Sequence, residues 1–300
     1  MAIFLGIDAG GSKTTCAVGD ETSLLATATA GGSNIIRLGE EQARAALHHA
    51  VREACATARV DPTSLTRVCA GLAGAARPQI SEAARRILAE IVSCEIDVVG
   101  DMVIALNAAF SEGNGVIVIA GTGSIAYGKN PEGQTARVGG WGFAISDEGS
   151  GHWIGRTAVS STLRAQDEGE RSVLFQLITA AWRLETLDDL VQRANSTPPP
   201  DFSALMAPVL AASDGGDVLA RSILTQAGAE LARLGKIVIA RIFAGQAKIP
   251  VAMSGGVFRS SPLVRQVFYN SLRSEYPNAA VTPTVVDPVK GALALARKSA

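Results

Sequence analysis

The chain lacks the residues that build disulfide frameworks, metal clusters and strongly basic surfaces. Its four cysteines in 300 residues are far apart and show no CxxC or Cys/His spacing, so neither a zinc site nor a set of disulfides is indicated. The formal net charge is −1 and the Lys and Arg residues are dispersed, which leaves no basic stripe for nucleic acid. We therefore expect reduced thiols and no nucleic-acid partner.

Long hydrophobic runs are also missing. No apolar segment approaches the roughly 18 residues of a membrane span, and no basic segment with a cleavage site precedes the first predicted strand. The sequence therefore predicts a cytoplasmic protein without a membrane partner. Apolar residues are nevertheless abundant, at 47% against 18% charged, which is enough for two ordinary cores. We predict one domain at residues 1–114, joined by a C-terminal helix at about 287–300, and a second domain at residues 115–286.

The predicted elements follow the same order at the start of both halves. Three short apolar runs within residues 3–29 predict strands, and apolar positions repeat at intervals of three and four over residues 40–58, as in a helix. Alternating strands and helices up to Phe110 complete a βββαβαβα order. Three more extended runs begin at Gly115, and a helix is predicted from near Glu148. The fold class is therefore α/β, with a duplicated topology and parallel strands buried between helices.

Two glycine-rich turns each follow an apolar strand, GIDAGGSKTT at residues 6–15 and IAGTGSIAYG at residues 119–128. Glycines keep side chains out of a turn, so backbone N–H groups can approach an anion closely. Hydroxyl donors are added by Ser12, Thr14, Thr122 and Ser124. The first turn leads into a strand and does not match GxxxxGK[ST], so it is not a P-loop. The pair of turns predicts a bound nucleotide.

Two carboxylates stand at predicted carboxyl ends of strands, where ligands of such sheets gather. Asp8 can hold the Mg²⁺ that accompanies ATP, directly or through water, or it can cap N–H groups of the following turn. Asp101 can serve as a general base towards a sugar hydroxyl, or as the N-cap of the next helix. Lys13 can reach a phosphate or remain solvated. These alternatives stay open from the residues alone.

The segment VGGWGFAISDEGSGHWIG, residues 138–155, is unusually dense in glycine. Gly140 lets the backbone approach a ligand, Trp141 offers a flat apolar wall, and Asp147 offers a bidentate acceptor for neighbouring hydroxyls. The alternative is that Asp147 caps the next helix and Trp141 packs beneath the loop. His152 is interpreted as a packing or helix-surface residue.

Two further short motifs have both a binding and a structural interpretation. Ser33 and Asn34 close the third strand, and they can bond sugar hydroxyls or form a turn. The motif SGGVF, residues 254–258, can contact adenosine through its glycine backbone or make a tight strand-to-helix turn.

Taken in order, these motifs resemble one protein family over nearly the whole chain. GIDAGGSKTT, the Gly100-Asp101 pair, IAGTGS, GGWGFAISDEGSG and SGGVF are similar to the N-acetylglucosamine kinase branch of the BadF/BadG/BcrA/BcrD ATPase family. That family belongs to the sugar kinase, Hsp70 and actin superfamily. The resemblance implies two ribonuclease H-like (actin-like ATPase) domains with ATP and sugar in the interdomain cleft. It also implies transfer of the γ-phosphate of ATP, with Mg²⁺, to the 6-hydroxyl of N-acetylglucosamine.

The resemblance gives expected roles to single residues. Asp101 is the expected catalytic base, and Asp8, from its place at the end of a predicted strand, is the expected Mg²⁺ ligand. The expected ATP contacts are Gly10, Gly11, Ser12, Lys13, Thr14, Gly121, Thr122, Gly123, Gly255 and Gly256. The expected sugar contacts are Ser33, Asn34, Asp101, Ser124, Gly140, Trp141 and Asp147. We also expect a homodimer.

Other activities fit parts of the same pattern. Glucosamine kinases and N-acetylmuramic acid kinases share much of it, although GGWG with Trp141 is more similar to the N-acetylglucosamine enzymes. ATPase activators of dehydratases and reductases in this family carry an iron–sulfur cluster, which needs cysteine thiolates, and no cysteine here lies in a glycine loop. A sugar sensor without catalysis would keep the sugar site, yet the presence of both Asp8 and Asp101 favours an enzyme.

Overall fold

The computed structural model describes residues 2–298, which form ten β-strands, twelve α-helices and two short 3₁₀ turns. The elements up to residue 109 are β1 (Phe4–Ala9), β2 (Lys13–Gly19), β3 (Leu24–Gly31), α1 (Ile35–Leu38), α2 (Glu40–Ala58), β4 (Arg67–Leu72), α3 (Pro78–Ala89), β5 (Glu95–Gly100) and α4 (Asp101–Ala109). The remaining strands and helices are β6 (Gly115–Ala120), β7 (Ser124–Lys129), β8 (Thr135–Gly139), α5 (Gly151–Asp167), α6 (Val173–Trp182), α7 (Leu187–Ala194), α8 (Met206–Asp214), α9 (Val218–Ile242), β9 (Ile249–Ser254), α10 (Gly256–Ser260), α11 (Pro262–Glu275), β10 (Ala279–Val286) and α12 (Pro288–Lys298). The 3₁₀ turns are Pro62–Ser64 and Phe202–Leu205.

The first sheet has the order β3-β2-β1-β4-β5. Strand β1 runs antiparallel to β2 and parallel to β4, and β4 runs parallel to β5. The central strands are almost wholly apolar because helices cover both faces of the sheet. Leu47 of α2 and Ile87 of α3 belong to the core on one face, whereas Ile104 of α4 and Leu293 of α12 belong to the core on the other.

The second sheet repeats this arrangement. Its order is β10-β9-β6-β7-β8, so β6 to β10 take the places that β1 to β5 take in the first sheet. The helices α6, α7 and α8 are inserted after α5, before the long helix α9. The predicted α/β class and the predicted duplication of the βββαβαβα topology are confirmed, and each sheet with its helices is ribonuclease H-like.

One helix and the starts of two others differ from the sequence-based predictions. The short helix α1 was not predicted, because four residues are too few to show a periodic pattern. The helix predicted from near Glu148 begins instead at Gly151, since Gly149 has a φ of +78° and Ser150 provides the N-cap. Helix α4 was predicted to begin at Met102 and begins one residue earlier, at Asp101, because Gly100 takes the N-cap position.

The contacts divide the chain into two units. One unit extends from the N-terminus to Ile117 and includes the segment from Val286 onward, and the other is Val118–Val285. In the first unit α12 packs closely on β1, because a Cβ at Gly6 would overlap the backbone of Leu293. Among the helices that the structure describes, none has the length and apolar character needed to cross a membrane.

Candidate functional site

Two carboxylates lie at the carboxyl edge of the first sheet. The parallel register aligns Ala9, Leu72 and Gly100 across β1, β4 and β5. Asp8 precedes this row by one residue and Asp101 follows it by one. Adjacent strands lie about 4.8 Å apart, so the backbones of β1 and β5, which have β4 between them, are roughly 10 Å apart. The predicted metal ligand and the predicted base therefore share one edge of one sheet.

Asp101 is the first residue of α4, and Gly100 occupies the N-cap position. The Asp101 Oδ1 atom accepts a hydrogen bond from the backbone N–H of Met102 at 2.9 Å. Gly100 rather than Asp101 therefore occupies the N-cap position, and the Asp101 carboxylate still accepts from one N–H of the first turn, so part of the structural role holds. This bond fixes the direction of the half-buried carboxylate.

Two glycines allow α4 to lie close to its neighbours and so set the position of Asp101. A Cβ at Gly71 of β4 would overlap the side chain of Ile104, in the middle of α4. A Cβ at Gly291 of α12 would overlap the backbone carbonyl oxygen of the same residue. Since helix packing distances depend on the side chains at the contact, both glycines hold α4 against the sheet and α12.

The first glycine turn is closed by Gly10, whose N–H donates to the carbonyl of Lys13 at 3.0 Å. The backbone N–H of Ser33 donates to the Gly10 carbonyl at 3.0 Å, so Ser33 is fixed against this turn. Thr14 Oγ1 lies 2.7 Å from both the Gly31 carbonyl oxygen and Ser33 Oγ, and both hydroxyls are fully buried. The structure thus joins a predicted sugar contact to the predicted phosphate turn, with the Thr14 hydroxyl bonded inside the protein. Lys13 is exposed.

Asn34 caps the short helix α1. Its Oδ1 atom accepts hydrogen bonds from the backbone N–H groups of Ile36 at 3.0 Å and Arg37 at 3.2 Å. The cap uses only the side-chain oxygen. The structural alternative, in which Asn34 shapes the chain after β3, is therefore present, and the predicted sugar contact stays a prediction.

The second glycine turn is bonded to the start of α5. The N–H of Gly151 donates to the Gly121 carbonyl at 2.8 Å, and the N–H of His152 donates to the Thr122 carbonyl at 3.3 Å. These bonds satisfy two N–H groups of the first turn of the helix and orient the turn. The Ser124 hydroxyl donates to the carbonyl of Glu148 at 2.7 Å, so it is bonded within the protein.

Asp147 links the second glycine turn to the tryptophan loop, which we define as residues 140–149. Its carboxylate accepts hydrogen bonds from the backbone N–H groups of Ser124 and Gly142. A Cβ at Gly123 would lie 2.9 Å from Asp147 Oδ2, so this glycine makes room for the carboxylate. The side chain is buried and the residue has a φ of +69°. The alternative that Asp147 caps α5 is wrong, because Ser150 does so.

The tryptophan loop exposes large apolar side chains. Trp141 is 67% exposed and Ile145 is 81% exposed, so the alternative that Trp141 packs beneath the loop is wrong. The ring of Phe143 lies 4.8 Å from the ring of His152, which in turn lies 5.2 Å from that of Phe202. His152 is therefore a packing residue, as predicted.

The SGGVF motif lies beside the second glycine turn. Gly255 has a φ of +100°, and a Cβ there would overlap the backbone of Ala120, the residue before Gly121. Only glycine fits this close approach. The structure therefore brings together the predicted adenosine motif and the predicted phosphate turn.

A magnesium ion bound with ATP fits the residues at the edge of the first sheet. Among the described residues, no group of three or more His, Cys, Asp or Glu side chains is placed to hold a metal ion. Mg²⁺ in phosphate-transferring sites needs only one or two carboxylates, because phosphate oxygens and water complete its shell. Asp8 with a nucleotide meets this requirement.

Three residues that shape these features were not predicted. Gly71 and Gly291 act through contacts between elements distant in the chain, and nothing in their local sequence marks them. Arg137 stacks on Trp141 with its guanidinium carbon 4.5 Å from the ring centroid. The sequence signal for this contact is an arginine four residues before a tryptophan that has glycines on both sides.

Burial raises the pKa of the Asp147 carboxyl above its usual value, and the hydrogen bonds from Ser124 and Gly142 offset part of this effect. The ionised Asp147 carboxylate therefore lowers the free energy of unfolding at neutral pH, and protonation of the carboxylate removes this loss. We expect the wild-type protein to gain stability relative to an Asp147→Asn variant as the pH falls from about 7 to about 3. Urea denaturation at several pH values measures the difference.

Asp20 provides a control of opposite sign. Backbone N–H groups of Ser23 and Thr22, at 2.6 and 2.8 Å, lower the pKa of its carboxyl. The Asp20 carboxylate therefore stabilises the folded protein at neutral pH, and this stabilisation disappears on acidification. As the pH falls, the wild-type protein should lose stability relative to Asp20→Asn. A stability difference for Asp147→Asn that does not change with pH would contradict burial as the dominant cause.

Known proteins resemble this chain over nearly its whole length. The model of the BadF/BadG/BcrA/BcrD ATPase family matches residues 5–296. The N-acetylmuramic acid/N-acetylglucosamine kinase of Clostridium acetobutylicum is 31% identical over 303 residues, which cover 99% of this chain and 99% of that protein. The N-acetyl-D-glucosamine kinase of Dictyostelium discoideum is 30% identical over 314 residues, with 99% and 98% covered.

The fold is also found in solved structures. The crystal structure of a proposed N-acetylglucosamine kinase from Chromobacterium violaceum has a TM-score of 0.78 and 25% identity, and the match covers 98% of this chain and 99% of that one. The family model and the two full-length relatives carry the assignment. The chain therefore belongs to the BadF/BadG/BcrA/BcrD ATPase family.

Proposed function

We propose that the protein is an ATP-dependent amino-sugar kinase that transfers the γ-phosphate of ATP to the 6-hydroxyl of N-acetylglucosamine. The observation that carries the proposal is the presence of Asp8 and Asp101 at one edge of the first sheet in a chain of this family. The relatives from Clostridium acetobutylicum and Dictyostelium discoideum are named as kinases of N-acetylated amino sugars, which supports the substrate class.

Asp101 is the proposed general base. The bond between the sugar oxygen and the γ-phosphorus forms as the bond from that phosphorus to the bridging oxygen breaks, and ADP leaves. The hydroxyl proton passes to the Asp101 carboxylate. Phosphoryl transfer otherwise depends on positioning and on neutralising charge, so a base held in one direction is what the protein must supply. The bond from the Met102 N–H and the packing of α4 support this role.

The proposed nucleotide contacts are the two glycine turns and the SGGVF motif. Backbone N–H groups near Gly10 and Gly121 would bind phosphate oxygens, and Gly255 with Gly256 would contact the adenosine. Asp8 would hold Mg²⁺, directly or through water, and the bound ion neutralises charge on the phosphates. The packing of Gly255 on the backbone of Ala120 supports a shared nucleotide surface.

The proposed sugar contacts belong to two groups of residues. Ser33 and Asn34 lie next to the first glycine turn, as the bond from the Ser33 N–H to the Gly10 carbonyl indicates, and of the two the Ser33 hydroxyl is fully buried against Thr14. Trp141 and Asp147 belong to the tryptophan loop, together with Gly140 and the adjoining Ser124. An exposed indole can stack on the apolar face of a pyranose or on an acetyl group, and a buried carboxylate can accept from hydroxyls.

The other activities considered have less support. An activator with an iron–sulfur cluster needs accessible thiolates, whereas Cys16, Cys55 and Cys69 are buried. Burial raises the pKa of all three thiols, to about 11 for Cys55 and about 12 for Cys69. A sensor without catalysis would keep Asp101 as a sugar contact but would not need Asp8 to hold a metal ion.

Measurement of ADP release with N-acetylglucosamine, glucosamine, N-acetylmuramic acid and glucose tests the proposal. We expect the highest kcat/KM with N-acetylglucosamine, and NMR of the product should show phosphorus coupled to the protons at carbon 6. A preference for N-acetylmuramic acid or glucosamine would replace the proposed substrate. Sugar binding without turnover would establish the sensor instead, and ATP hydrolysis only with a protein partner would establish the activator.

A further inference from the structure

Arg137 lies next to the tryptophan loop and bonds to the last residue of β8 and to the first residue of the loop. It is located in β8, at the edge of the second sheet, where it pairs with Tyr127 of β7. Its Nε and Nη2 atoms donate to the Gly139 carbonyl at 3.3 and 3.2 Å, and Nη2 also donates to the Gly140 carbonyl at 3.0 Å. A planar guanidinium thus holds two consecutive carbonyls, which a lysine ammonium could not match in geometry.

The backbone at this point is shaped to bring both carbonyls to the guanidinium. Gly139 and Gly140 have φ values of +76° and +68°, which other residues rarely adopt. A Cβ at Gly140 would also lie 2.8 Å from the side chain of Ile125. The carbonyl of Arg137 itself accepts from Arg241 of α9 at 3.3 Å, so the end of β8 is anchored to a long helix.

The same guanidinium covers one face of the Trp141 indole. The guanidinium carbon lies 4.5 Å from the ring centroid, within the range of a cation–π contact. Trp141 is 67% exposed, so most of its surface remains open to solvent. An exposed side chain that must stack on a ligand loses rotamer freedom on binding unless it is already held.

We propose that Arg137 is a positioning residue that holds the Trp141 indole ready for the sugar. It acts through Trp141, so it contributes to sugar binding and leaves the phosphate-transfer step unchanged. This inference rests on the proposed function for one point, which is that the ligand of Trp141 is an amino sugar. The restraint of Trp141 by Arg137 can be measured without any ligand.

The kinetic test uses Arg137→Met, which keeps the length of the side chain and removes the planar cation. We expect KM for N-acetylglucosamine to rise about fivefold to tenfold, with kcat and KM for ATP within about twofold of wild type. Arg137→Lys keeps the charge without the two-carbonyl geometry and should show a smaller rise. An unchanged KM for the sugar in Arg137→Met would overturn the proposal.

Arg273→Met is the matched control. Arg273 stacks on Tyr269 of α11 at 5.6 Å and donates to the Pro277 carbonyl at 3.0 Å, so it makes the same kinds of contact away from the loop. Its removal should leave KM for the sugar unchanged. A rise equal to that of Arg137→Met would show a general effect of losing an arginine and would overturn the positioning role.

A second measurement does not depend on activity. The three tryptophans can be labelled with 5-fluorotryptophan, and Trp141→Phe assigns their fluorine resonances. In Arg137→Met we expect the Trp141 resonance alone to shift and narrow, while those of Trp153 and Trp182 stay in place and report an intact fold. An unmoved Trp141 resonance would overturn the proposal. If the wild-type protein phosphorylates no amino sugar, the proposed function fails while this measurement still decides the role of Arg137.

Discussion

Replacing Asp101 by asparagine is expected to lower kcat on the order of 10³-fold while sugar binding is largely kept. The amide has nearly the same shape and its oxygen can still accept from the Met102 N–H, which lies 2.9 Å from Oδ1 in the wild-type protein. It cannot take the proton of the attacking hydroxyl. Steady-state kinetics gives kcat, and calorimetric titration with N-acetylglucosamine gives the dissociation constant.

Asp97 offers the matched control, because it lies in β5 just before Asp101 and forms an ion pair with Arg67 at 2.9 Å. Asp97→Asn should leave kcat within about twofold, since its half-buried carboxylate pairs with Arg67 at the start of β4, away from the carboxyl edge of the sheet. An Asp101→Asn enzyme with a kcat within about tenfold of wild type would show that another group accepts the proton.

Replacing Gly291 by alanine is expected to destabilise the protein and to reduce kcat together. The added methyl group would overlap the carbonyl oxygen of Ile104 in α4, so two helices must separate. Overpacking of this kind costs about 3 kcal/mol, against a gain of about 1 kcal/mol for alanine in a helix. The net loss of about 2 kcal/mol lowers Tm by several degrees, and the displaced α4 carries Asp101 with it.

Gly31→Ala is the control for this change. Gly31 ends β3, and a Cβ there meets no atom within 4 Å, so Tm and kcat should stay close to those of wild type. Thermal unfolding and the coupled assay are measured on both variants. A Gly291→Ala protein with unchanged Tm and kcat would show that α12 does not control the position of α4.

The framework of the fold was predictable because local patterns determine it. Apolar runs of strand length and the three-and-four spacing of α2 predict both sheets and most helices. Asp8 and Asp101 could be located at one sheet edge because each lies within one residue of the end of a strand of predictable direction. The helix α1 escaped prediction because its signal is a single Asn34 cap followed by four residues.

The partners of individual side chains were less predictable, since they depend on contacts between distant segments. Thr14 and Ser124 were singled out as hydroxyl donors to phosphate, and both hydroxyls are bonded within the protein. The contact between Arg137 and Trp141 depends on a turn of two glycines whose conformation the sequence does not specify. The sequence therefore indicated which kinds of side chain lie near the site. The structure was needed to show which atoms they contact.

The contact of α12 with β1 and α4 has a consequence for the order of folding. Strand β1 and helix α4 precede Phe110, whereas α12 is Pro288–Lys298, so a ribosome must synthesise nearly all of the described residues before α12 can cover the first sheet. Until then the part of this core around Phe4 lacks its contacts with α12, and closing so long a loop slows folding. The first unit therefore begins to form early in translation and is completed only when α12 packs against it.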